Sequence, residues 1–123
     1  RIGAVGSDVV AANSLTLTAS SLPLDRFGVF IASRDQGFVP GAGGTSNGNL
    51  CLTGTIGMLD GPGQILNTGA SGEYSLRIDL GAIPQGQGSA AAVAGETWSF
   101  QAWYRERTGF GSNFTDGIEI TFR

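Results

Sequence analysis

Gln101, Trp103 and Arg105 stand at alternate positions in the stretch Gln-Ala-Trp-Tyr-Arg. In a strand, alternate residues share a face, so an amide, an indole and a guanidinium would stand in one row. The opposite face, with Trp98, Phe100, Ala102 and Tyr104, is a plain core stripe. Trp103 admits three readings. It packs beneath a loop or a facing sheet, as tryptophan usually does. It offers a platform to a sugar ring, with Gln101 and Arg105 bonding the hydroxyls. Or it belongs to a protein–protein contact, where Trp and Arg are enriched. Arg77, on a face with Asp79, would extend the row into a polar patch if its strand neighboured that of Trp103. The plainer account of Arg77 is an ordinary surface ion pair.

Most catalytic chemistry lacks its residues. The chain has no histidine, which removes the commonest general base and metal ligand. It has no lysine either, and so no P-loop and no Schiff base. The segment Gly-Thr-Ser-Asn-Gly at 44–48 matches a nucleophile elbow in letters only. That elbow needs a strand before it, a helix after it and a histidine elsewhere. A glycosidase needs just two carboxylates, but no pair among the acids stands out, and Asp79 and Glu119 fall on polar strand faces. The expectation is a protein that is not an enzyme.

No cofactor is indicated, with structural calcium the remaining candidate. Hard cations take oxygen ligands from loops, and Asn113, Asp116 and Asp60 lie in turn-forming stretches. Their spacing matches no calcium loop, and Asn and Asp at such places commonly bond their own backbone. Cys51 is the single cysteine. It reads either as a small buried hydrophobe or as half of a disulfide whose partner lies outside these residues.

The elements that would position these groups are strands. Charged residues make up 14% of the 123 positions and glycine 21 of them, a composition suited to short strands and tight turns rather than helices. Clean alternation places Leu15 and Leu17, Leu76 and Ile78, Trp98 and Phe100, and Ile118, Ile120 and Phe122 inward. Leu50 and Leu52, with Ile56 less firmly, read as inward in the same way. The stretch 27–33 is continuously apolar, so either Phe27, Val29 and Ile31 or Phe30 and Ala32 face the core; Gly28 leaves that register open. Turn signals recur at Asn47-Gly48, 60–64, 67–72, 86–89 and Asp116-Gly117. The glycine-rich segment 40–49 reads as a long surface loop. These features predict one domain over 1–123, an all-β antiparallel β-sandwich, jelly-roll-like.

A net charge of −3 supplies no basic footprint for nucleic acid. No apolar run approaches the length of a membrane-spanning helix, so membrane insertion is not expected. The abrupt opening Arg-Ile-Gly-Ala reads as a mature piece or a fragment of something longer.

Several segments occur in a telling order: AANSLTLTASSLP, FGVFIASRDQGFVPGAGG, NGNLCL, GPGQILNTG, GETWSFQAWYRE and SNFTDGIEITF. Over nearly its whole length the chain resembles a carboxy-terminal accessory domain common in large secreted proteins of planctomycetes and other marine bacteria. Residues 49–52, Gln101 with Trp103, Tyr104 and Arg105, and residues 112–117 carry the resemblance most specifically. It implies secretion to the extracellular space or cell surface and a modular, non-catalytic role, and it supplies no ligand. The family usually begins with a Tyr-Cys pair upstream of where this chain starts, absent here; if Cys51 bonds that cysteine, its partner lies outside these residues. It also tends to have Asp where this chain has Glu106, a change that keeps the charge.

The functional expectation is an extracellular binding module, with polysaccharide or a cell-surface glycan held by Trp103, Gln101, Arg105 and Arg77. The alternative is a self-associating domain, a subunit of a surface lattice, fibre or anchor, joined through its first strand or its last.

Overall fold

The computed structural model describes residues 1–123. Alternation becomes strand along about half of the chain. The strands are β1 (Ile2–Gly6), β2 (Leu15–Ala19), β3 (Phe27–Ser33), β4 (Asp35–Val39), β5 (Leu50–Thr53), β6 (Gly57–Leu59), β7 (Leu66–Asn67), β8 (Tyr74–Arg77), β9 (Ile83–Gln85), β10 (Gly88–Ala90), β11 (Thr97–Arg105) and β12 (Ser112–Thr121). All their pairings are antiparallel. The three-stranded sheet runs β1-β2-β8; the long sheet runs β12-β11-β3-β6, with β7 also paired to β3. Two hairpins, β4-β5 and β9-β10, complete the fold. The chain crosses between sheets from β2 to β3 and from β7 to β8, and the sheets do not close into a barrel. The result is the expected all-β sandwich.

The main core lies between the two sheets. Leu15, Leu17 and Ala19 of β2 meet Phe30 and Ala32 of β3 and Trp98, Phe100 and Ala102 of β11, with Phe122, Ile78 and Leu80 closing the ends. Leu76, Ile118 and Ile120 pack against this cluster half-buried. Gly28 lets the two layers approach. A Cβ there would collide with the Tyr74 hydroxyl and lie 2.7 Å from the Trp103 carbonyl oxygen. Tyr74 fills that space, its ring edge-on to Phe30 at 5.2 Å between centroids.

The register of β3, open in the sequence, is resolved in favour of both sets. Phe30 and Ala32 enter the main core, while Val29 and Ile31 face outward and are buried all the same. They form a second, smaller cluster with Leu52, joined by Leu50, Ile56, Trp103 and Phe114. Leu50 and Leu52 therefore do not extend the main core as expected; β5 lies across the outer face of the long sheet instead. The molecule is locally three layers deep, and β11 is covered on both sides over part of its length.

A bulge in β12 sorts its side chains between these layers. Gln101 pairs with Gly117 and Trp103 with Phe114, so one residue of β11 opposes two of β12. The extra residue shifts the alternation by one. Phe114 can then lie outside beside Trp103, while Ile118 pairs with Phe100 on the inner side. The Thr115 hydroxyl takes over as acceptor for the Ala102 N–H, 3.0 Å away, where the ladder is interrupted.

Both strands proposed as joining edges stand at the edge of their sheets, β1 paired only to β2 and β12 only to β11. The Ile2 N–H donates to the Asp116 carboxylate at 2.9 Å, setting β1 beside β12. Beyond β12, the Phe122 backbone bonds Glu96 and Gly95, and the Arg123 backbone bonds Asp8 and Val10. No helix is long and apolar enough to cross a membrane.

A groove on the outer face of the long sheet

On the outer face of β11, Ser99, Gln101, Trp103 and Arg105 follow in a row, and each meets a different environment. Ser99 and Gln101 lie beneath the β4-β5 hairpin. Gln101 is fully buried, and its amide is spent on structure. Its nitrogen donates to the Asn49 carbonyl at 2.8 Å and the Thr115 carbonyl at 2.6 Å, and its oxygen accepts from the Cys51 N–H at 3.0 Å. The expectation that Gln101 binds a ligand is therefore corrected: it ties the hairpin and the bulge to the sheet. The Ser33 hydroxyl adds a second tie, donating to the Thr53 carbonyl at 2.6 Å.

Trp103 stands at the border of the covered region. Its ring stacks on Phe114, with centroids 6.2 Å apart and planes 20° apart, and the Arg105 guanidinium lies 5.8 Å from its centroid. The first reading holds for its buried part, which packs in the second cluster. Its remaining surface lines an open groove of about 360 Å³ with Phe27, Met58, Ile65, Asp60 and Arg105. Phe27 and Ile65 are each 59% exposed there. The volume falls at the small end of the range for ligand sites, which runs from ~300 Å³ upward. The local sequence explains the placement: Phe27, Val29 and Ile31 share the outward side of β3, and Met58 pairs with Ile31. Phe27 and Arg105 end their strands at the same end of the sheet, since Gly28 pairs with Tyr104.

The groove floor is held from inside by two tyrosines. The Tyr74 hydroxyl reaches the Val29 and Trp103 carbonyl oxygens at 3.5 and 3.4 Å. Burial pushes its phenol well above the ordinary value, with Tyr104 adding to the rise. Burial raises Tyr104 likewise, and then the Glu106 charge. The Trp103 indole Nε1 is buried and has no acceptor within the chain.

Arg77 does not join this site. Its strand belongs to the other sheet, where its guanidinium donates to the Asn13 carbonyl at 2.8 Å. The expected cross-strand patch with Trp103 is not formed. Asp79, exposed nearby, has its carboxyl held below the ordinary value by the Gly81 N–H and then the Asn13 amide.

The calcium candidates are dispersed. Asp60 lies in the groove, Asp116 accepts from Ile2, and the Asn113 amide donates to Glu106 at 3.2 Å. No group of three or more His, Cys, Asp or Glu side chains comes together. Ser46 of the elbow-like segment is buried, its hydroxyl donating to the Ser112 carbonyl at 2.9 Å. The glycine-rich loop around it is pinned rather than free. The Asn47 amide nitrogen bonds Glu106 and the Thr108 carbonyl, each at 2.7 Å, and its oxygen accepts from the Phe110 N–H. Cys51 is a half-buried free thiol. With Ser99, Gln36 and Gly117 it borders a second, smaller cleft of about 240 Å³.

Phe27, Met58 and Ile65 are site residues that the sequence reading did not single out. Phe27 falls in one of the two sets that the apolar run 27–33 offers to the core, and Ile65 sits between turn signals. The usable clue was a large apolar residue inside a turn-rich stretch. Compared with family models, characterised proteins and solved structures, the chain finds no match.

Proposed function

We propose that this domain is a non-catalytic, extracellular binding module that takes a carbohydrate chain in the groove between Phe27 and Arg105. The observation that carries the reading is the open half of an otherwise roofed sheet face. An exposed aromatic ring, a half-buried tryptophan, one cation and one carboxylate surround a concavity there. Aromatic and aliphatic groups suit the flat apolar face of a pyranose, and a few polar groups fix its hydroxyls. The missing histidine, the dispersed acids and the spent Ser46 offer no competing catalytic arrangement. The resemblance to an accessory domain of secreted bacterial proteins points the same way.

The test is a pull-down on insoluble polysaccharides with wild type, Phe27→Ala and Trp103→Ala, followed by light scattering on the unbound protein. Binding is expected for wild type and lost in Phe27→Ala. Because Phe27 is largely exposed, that substitution should leave stability within ~0.5 kcal/mol. No binding by any variant, with a mass well above one chain, would replace this reading with self-association. The joining surface would then be sought at β1 and β12, which end their sheets with one paired side each.

A further inference from the structure

The groove's polar equipment is unbalanced. Arg105 is exposed and makes neither an ion pair nor a side-chain hydrogen bond; the chain's ion pairs are Arg34 with Glu96 and Arg123 with Asp8. It is the only cation lining the groove, and Asp60 is the only acid. The neighbouring Trp103 indole N–H is buried and gives the groove no second donor. Arg105 is thus the one exposed donor at the groove unmet by the chain, while the apolar lining gives a ligand little other polar purchase.

We infer that the groove selects an acidic glycan, with Arg105 taking the carboxylate of a uronate unit; this rests on the carbohydrate reading above. A planar guanidinium matches a planar carboxylate through two parallel hydrogen bonds. A uronate carries its carboxylate at the ring periphery, so one ring face stays free to lie against Phe27, Met58 and Ile65. Asp60 then accepts from a ring hydroxyl and disfavours a second anion nearby. The net charge of −3 gives no general attraction to polyanions, so recognition depends on this local cation and not on a broad field.

The experiment compares polygalacturonate with its methyl-esterified form by calorimetry, for wild type, Arg105→Gln and Asp60→Asn. Esterification removes the charge and keeps the sugar. Wild type should bind the acid form about tenfold more tightly or better. Arg105→Gln should erase that preference, and Asp60→Asn should keep or widen it. Arg105→Gln changes an exposed side chain, and circular dichroism checks that it stays folded. Equal binding of both forms by wild type, or an unchanged preference in Arg105→Gln, overturns the inference and leaves the carbohydrate reading standing. The same holds if neutral polysaccharides bind in a Phe27-dependent way while polygalacturonate does not. Failure to bind any glycan overturns both.

Discussion

The outer face of the long sheet is handled in opposite ways along its length. Toward Ser33 and Ser99 it is roofed by the β4-β5 hairpin, with Gln101 as the central tie; toward Phe27 and Arg105 it has no roof. The residues come from the same two strands and alternate in the same way. What differs is the supply of backbone groups above them. Over Gln101, the Asn49 carbonyl and the Cys51 N–H arrive to meet an amide that can donate and accept at once. Over Arg105 nothing arrives, and its guanidinium, a donor only, is left for something else to satisfy. A polar side chain on a strand is therefore structural or functional according to what the rest of the chain brings above it, and residue type alone does not decide.

The two tryptophans give the sharpest way to break this comparison. Trp98 is fully buried between the sheets, whereas Trp103 is half-buried at the groove. Trp98→Ala should cost about 3–5 kcal/mol, as for large-to-small changes in a core. Trp103→Ala should cost roughly half of that, since part of its surface is already in water. Urea unfolding of both variants measures the difference. Equal costs would mean that the groove wall is as much core as the sheet interior, and the distinction between the halves would fall.

Gln101→Leu probes the roof itself. It removes three hydrogen bonds and leaves the Cys51 N–H and two carbonyls without their partner. Each buried unmet group costs ~1–3 kcal/mol, partly recovered by the apolar replacement, so a net loss of about 2–4 kcal/mol is expected. Local loosening should also show directly. The Cys51 thiol should react faster with a disulfide reagent, and the Cys51 amide should exchange faster. A destabilised protein with unchanged thiol reactivity would place the loss elsewhere than at the hairpin.

The sandwich was legible because alternation reports which residues share a face, and turn residues report where strands end. Trp98, Phe100, Ile118 and Ile120 take the predicted side even across the β12 bulge, since their own local pattern carries it. The site was legible in part. Trp103 and Arg105 do line one groove, but Gln101 and Arg77 do not, because those assignments depended on which strand lies next to which. Arg77 faces away since β8 pairs with β2 and not with β11. Alternation within a strand carries no record of its neighbours. Phe27 was hidden for the same reason: a continuously apolar strand gives no hint that one end of its outer side stays bare.

The smallest effect expected is a pH dependence that tests how the open half is held from within. Tyr74 and Tyr104 both point inward under the groove, and both have phenols raised by burial. A raised value in the folded state means the folded protein favours the protonated form more than the unfolded chain does. Their contribution is therefore complete below the ordinary tyrosine value of 10.0 and is lost as pH rises through it toward the folded-state values. The urea midpoint should be level in mildly alkaline solution and fall above pH ~10. Tyr74→Phe removes one of these groups along with two long hydrogen bonds to Val29 and Trp103. It should lower stability at neutral pH by ~0.5–1 kcal/mol and make the alkaline fall shallower. If the fall keeps its full slope in Tyr74→Phe, the phenol is not what the groove floor shields. The floor would then rest on the Phe30–Tyr74 ring contact, which phenylalanine preserves.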